Sequence, residues 1–107
     1  MFARILEFVP KLEKKEEFIR AIKNEVLPIL KNQPGFLEIL PFFPEDRNDK
    51  TITVSLWAEK KNAELYEQKV FPRVSEILKP YLTTPITFKY YMVETTLCEH
   101  FEKALAA

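Results

Sequence analysis

The chain has 107 residues, 47% of them hydrophobic and 30% charged, the proportions of one globular domain able to bury its own core. Sixteen basic and sixteen acidic side chains cancel, which leaves no net field to gather nucleic acid or an anionic membrane. One cysteine, Cys98, excludes an intramolecular disulfide, and one glycine excludes the Gly-rich phosphate loops of P-loop and dinucleotide-binding proteins.

The first predicted element is a strand from Phe2 to Val9, stopped by Pro10. Phe2, Arg4, Leu6 and Phe8 share one face; Ala3, Ile5, Glu7 and Val9 share the other. Both faces are largely apolar, so both need cover. The start Met1-Phe2-Ala3-Arg4 lacks the basic and apolar regions of a signal peptide, and no apolar run reaches membrane-span length. With an unpaired cysteine, the expected compartment is the cytoplasm.

Leu12 to Leu30 carries helical periodicity through Phe18, Ile22, Val26, Ile29 and Leu30. Pro28 is expected to kink or loosen its last turn. The only glycine follows, in Gln33-Pro34-Gly35-Phe36. Proline at the second position of a turn and glycine at the third predict a type II corner with positive φ at Gly35.

Strands are predicted over Phe36 to Phe43 and Thr51 to Trp57, joined by the polar loop Pro44 to Lys50. In the third strand the apolar row Ile52, Val54 and Leu56 suits a core under helices. The row Thr51, Thr53, Ser55 and Trp57 suits the lining of a cavity. Asn62 is the expected N-cap of a helix from Ala63 to about Val70. Pro72 then opens a second segment, Arg73 to Lys79. Ile86 to Glu94 reads as the fourth strand. Residues 1–94 form the expected domain and 95–107 a helical tail, with a capping-box pattern at Thr96–Glu99 and a stripe at Leu97, Phe101 and Leu105.

The order is βαββαβ, an α+β, ferredoxin-like arrangement of four antiparallel strands with helices on one face. Helices on one face leave the other bare, and a large bare apolar face is avoided by monomers. A homodimer that stacks the two open faces is therefore expected.

The first-strand start, the Pro34-Gly35-Phe36 corner, the strand ending in Trp57-Ala58-Glu59, and the helix bearing Ala63, Leu65, Tyr66, Val70 and Phe71 together resemble the antibiotic biosynthesis monooxygenase-like family of dimeric α+β barrels, over residues 1 to about 94. The resemblance implies a dimer with a small-molecule pocket. The family holds cofactor-independent oxygenases of aromatic polyketides, haem-degrading enzymes, quinol oxygenases and members without a known reaction, so it does not select a chemistry. Haem-degrading relatives use a first-strand Asn, a Trp and a His about ten residues later. Tyr66 and Glu76 occupy the latter two places here and the first strand has no Asn. A carboxylate does not replace a proximal imidazole, so no haem is expected.

Cofactor-free oxygenation needs a dry aromatic pocket and polar groups that hold a substrate anion. Trp57, Tyr66, Tyr90 and Tyr91 are candidate walls, and Arg4 and Arg73 candidate anion holders. Arg4, a charge amid apolar strand residues, needs a partner, for which Glu38 and Glu7 on neighbouring strand positions are candidates. Each aromatic can equally be plain packing, and Arg73 a solvated helix residue. The candidate substrate-binding set is Arg4, Glu38, Trp57, Tyr66 and Arg73, with no cofactor or metal and no assigned catalytic residue. A working pocket implies several hundred Å³ beside Trp57 and Tyr66. A non-catalytic ligand-binding or stress-related dimer is the rival reading. An isomerase with Glu38 as base is a third. Cys98 and His100 are too few and too divergent for a closed metal site or a triad, and the neutral charge argues against RNA on the sheet.

Overall fold

A computed structural model describes residues 1–46 and 49–94. The expected tail helix, with Cys98 and His100, lies outside the described residues. Four strands, β1 (Phe2–Phe8), β2 (Phe36–Phe42), β3 (Thr51–Trp57) and β4 (Thr87–Met92), form one antiparallel sheet in the order β2-β3-β1-β4. This is the α+β, ferredoxin-like fold, with helices packed on one face. No helix among the described residues is long and apolar enough to cross a membrane.

The first helical arm is not uniform. A 3₁₀ turn at Leu12–Lys14 leads into α1 (Lys15–Ala21), a π-helical turn at Ile22–Val26, and α2 (Leu27–Lys31). Pro28 explains the wide turn, because it has no N–H to donate and its ring crowds the carbonyl four residues back. The wide turn also serves packing. Phe18, Ile22, Val26 and Leu30 are all buried, yet a four-residue repeat drifts about 40° per step around an α-helix. Widening one turn opposes that drift and keeps the row on the sheet.

The Pro-Gly corner forms as expected. Gly35 has φ +78°, and the Phe36 amide donates to the Gln33 carbonyl at 3.3 Å. The Gly35 carbonyl accepts from Ala58 at 2.8 Å, which ties the corner to the end of β3. The next helix, α3 (Lys60–Lys69), begins earlier than its predicted start at Ala63. Asn62 does not cap it from outside. It sits within the first turn, where its side-chain oxygen accepts from the Glu59 amide at 3.2 Å, the reciprocal half of a capping box. After a break at Val70, α4 (Phe71–Leu78) starts with proline in its first turn.

Which sheet face the helices cover corrects one expectation. The pairs Phe2↔Trp57, Arg4↔Ser55, Leu6↔Thr53 and Phe8↔Thr51 lie side by side, so they share a face. Phe2, Leu6, Phe8 and Trp57 join Phe18, Val26, Tyr66, Phe71 and Val74 in the core. The row under the helices is therefore Thr51, Thr53, Ser55 and Trp57. Ile52, Val54 and Leu56 lie on the opposite face, with Ala3, Ile5, Leu40, Phe42 and Tyr91. Phe42 and Tyr91 are each 52% exposed there.

Candidate functional site

Arg4 is the organising residue. It stands mid-strand in β1, between Ser55 of β3 and Tyr90 of β4, on the face that the helices cover. Alternation along β1 drives it inward with Phe2 and Leu6, and it is 2% exposed. Its counter-ion is neither Glu7 nor Glu38 but Glu67 of α3: Arg4 Nε donates to Glu67 Oε1 at 3.2 Å. The Tyr90 hydroxyl donates to the same oxygen. One carboxylate thus joins β1, α3 and β4.

The expected partners fail for a reason of parity. Glu7 is an odd-numbered residue of β1 and projects to the other face, where it meets Lys89 at 3.0 Å and Lys50 at 3.9 Å. Glu38 pairs with Leu56 on that same face. It is exposed, and its carboxylate accepts from the Ile39 amide at 2.9 Å.

Three rings surround the guanidinium. Its carbon lies 4.2 Å from the centroid of Phe71, 4.9 Å from Phe88 and 5.5 Å from Tyr66, within cation–π range. Yet the cation is incompletely satisfied. Arg4 Nη2 is buried without a hydrogen-bond partner, and so is Thr53 Oγ1. Both residues line one internal cavity of about 30 Å³, together with Ser55, Tyr66 and Phe71. Ile22 and Val26 of the π turn form part of its roof, and such turns cluster at functional sites. Burial pushes the Tyr66 phenol up to about 12, against a smaller lowering by Arg4. Tyr66 is therefore neutral at pH 7 and lines the cavity as an un-ionised phenol, not a base. Tyr90 is also raised, first by burial and then by its bond to Glu67.

The cavity is much smaller than expected. About 30 Å³ accommodates one or two water-sized atoms, whereas small-molecule sites span several hundred Å³. Trp57 does not line it. Its indole is fully buried, meeting Phe36 edge to face and Tyr66 at a tilt, at centroid distances of 5.5 and 5.0 Å. Trp57 Nε1 donates to Ser55 Oγ at 3.0 Å, and that hydroxyl donates to the Arg4 carbonyl at 3.4 Å. Trp57 therefore positions the backbone of Arg4.

A second space is large enough. An open groove of about 500 Å³ runs between α4 and the approach to β4, bounded by Phe71, Ser75, Glu76, Lys79, Ile86 and Phe88. Phe71 lines both the groove and the internal cavity. Of the residues predicted for the site, Arg4 and Tyr66 come together. Trp57 supports them from behind, while Glu38 and the exposed Arg73 line neither space. Sequence reasoning missed Glu67, Phe71 and Phe88. The apolar positions Ala63 and Tyr66 on α3 were the available signal for Glu67, since burying them turns the adjacent residue toward β1 and β4.

No family model and no curated protein matches this chain. Solved structures do match. A variant of SnoaB, a cofactor-independent oxygenase from Streptomyces nogalater, superposes with TM-score 0.73 over 90% of this chain and 95% of its own, at 14% identity. A monooxygenase from the ActVA-Orf6 gene of Streptomyces coelicolor, in complex with nanaomycin D, gives TM-score 0.73 over 90% of this chain and 89% of its own, at 13% identity. A protein of unknown function from Nitrosomonas europaea gives 0.70 over 89% and 90%, at 8% identity. The chain has the fold of the antibiotic biosynthesis monooxygenases across nearly all its described residues.

Proposed function

We propose that this chain, sharing the fold of the antibiotic biosynthesis monooxygenases, is a cytoplasmic homodimer that binds a small aromatic molecule beside its sheet and passes electrons from that molecule to oxygen without a cofactor. The observation that carries the reading is the unpaired Nη2 of Arg4, buried at a cavity that the unpaired Thr53 hydroxyl also lines. A buried cation with a free donor arm is costly unless an anion or ordered water completes it. A guanidinium next to an acidic phenol or enol also lowers that group's pKa and holds the electron-rich anion that reacts with oxygen. For a methylene carbon beside such an enol, one O₂ is consumed, the carbon becomes a carbonyl, and one water leaves with the two hydrogens. The substrate supplies the electrons.

The open apolar face with Ile5, Val54, Phe42 and Tyr91, none of them buried, supports the dimer, because an equivalent face on a second copy would cover it. A specific observation also favours a second reading. The internal cavity of about 30 Å³ is filled by side chains to a degree that suits a non-catalytic ligand-binding protein whose site opens only for its ligand. Oxygen-electrode measurements with a panel of anthrones and quinols separate the two. Uptake of one O₂ per carbonyl formed, reduced at least tenfold in Arg4→Gln, is the expected result. Binding without uptake for every compound in the panel would favour the non-catalytic protein.

A further inference from the structure

We propose that the groove beside α4 and the small cavity behind Phe71 are two parts of one binding site for a small aromatic carboxylic acid: the ring system occupies the groove and the carboxylate lies on the free arm of Arg4. This rests on the ligand-site reading above and adds the ligand's charge and its route.

Volume divides the ligand in two. The groove, about 500 Å³, is the size of a small-molecule site, while the cavity of about 30 Å³ suits a pair of oxygen atoms. Phe71 is the partition, since it lines both spaces. It meets Phe88 edge to face at 5.4 Å, and the Arg4 guanidinium lies on both rings. Phe88 is the movable member. It sits on the edge strand β4 and is 38% exposed, so a rotamer change there sacrifices little packing.

The charge follows from the donors. Glu67 holds the Nε edge of Arg4, which leaves Nη2 buried without a partner. A carboxylate and a neutral amide can both accept from that arm, but the bond between two charged groups is the stronger. A planar carboxylate with two oxygens fits the planar guanidinium and a cavity of about 30 Å³ better than a phosphate with three. At the groove mouth Glu76 and Lys79 carry opposite charges and set no net field.

Anaerobic calorimetric titration with 2-naphthoate and its neutral amide, 2-naphthamide, at pH 7 tests this. The acid is expected to bind at least tenfold tighter than the amide. Arg4→Gln is expected to erase that preference. Glu67→Gln removes the competing internal carboxylate and is expected to tighten the acid about tenfold while leaving the amide unchanged. Because a misfolded protein does not gain affinity, the Glu67 variant decides the matter even if Arg4→Gln folds poorly. Phe88→Ala is expected to speed association of the acid several-fold. Equal affinity for acid and amide, no binding of the acid at millimolar concentration, or an unmoved Glu67→Gln would each overturn the proposal. These readouts need no oxygen. Acid preference without turnover would contradict only the oxygenase, and turnover that falls tenfold in Arg4→Gln while acid and amide bind alike would contradict only this inference.

Discussion

Thr53 offers the simplest test at single-residue scale. Its hydroxyl is buried and unpartnered, so it contributes desolvation cost without a bond in the unliganded protein. Thr53→Val keeps the shape and removes the cost, and is expected to raise unfolding free energy by about 1 kcal/mol in urea titrations. A loss of stability would mean that the hydroxyl has a partner. Tyr66 makes a second prediction. Its phenol ionises near 12 in the folded protein against the ordinary 10.0. The unfolded chain therefore releases that proton first as pH rises. The stabilisation is complete below pH 10 and is lost between about pH 10 and 12, on the order of 2–3 kcal/mol for this group. Tyr66→Phe should flatten the stability curve across that window. A curve that falls as steeply in the variant would assign the loss to other groups, Tyr90 among them.

The corner at Gly35 and the start of α3 act as one element. A Cβ at Gly35 would lie 2.3 Å from Asn62 Cγ, on a backbone with φ +78°. Gly35→Ala thus combines a left-handed backbone with a side-chain collision, and is expected to cost about 2–3 kcal/mol in chemical denaturation. Asn62→Ala removes the reciprocal cap and is expected to cost about 1 kcal/mol. In the double variant the two nearest clashing atoms, Cγ and Oδ1, are gone and only the Cβ contact at 2.7 Å remains, so the penalties should sum to less than the two singles. Strict additivity would show that Asn62 does not abut the corner.

The same elements show what was legible in the sequence. Gly35 announced its turn because only one residue type tolerates that φ, and strand order followed from hydrophobic runs punctuated by prolines. Arg4 stood out because a charge within an apolar strand demands compensation. Its partner was obscured because Glu67 lies 63 residues away on another layer, and proximity along the strand pointed to Glu7, which alternation sends to the opposite face. The covered face of β3 was misassigned for a related reason: the apolar row Ile52, Val54 and Leu56 looked like the core side and the hydroxyl-bearing row like a cavity lining apart from it, yet pairing with Arg4, Leu6 and Phe8 takes Ser55, Thr53 and Thr51 under the helices. The π turn at Ile22–Val26 was foreshadowed only by Pro28.

For the whole molecule, the two sheet faces divide the work. The helix-covered face holds Arg4, its ring cage and the route through the groove. The other face presents Ile5, Val54, Phe42 and Tyr91, a surface suited to a second copy. Val54→Lys places a charge at the centre of that surface, and is expected to weaken self-association at least tenfold in sedimentation while leaving ligand binding intact. Unchanged association would place the contact elsewhere.

Native mass spectrometry in the presence of 2-naphthoate examines both faces in one spectrum. The account predicts a particle of two 12.7 kDa chains carrying two molecules of the acid, with the amide absent under the same conditions. A bare single chain at micromolar concentration, or a dimer that takes up acid and amide alike, would contradict it.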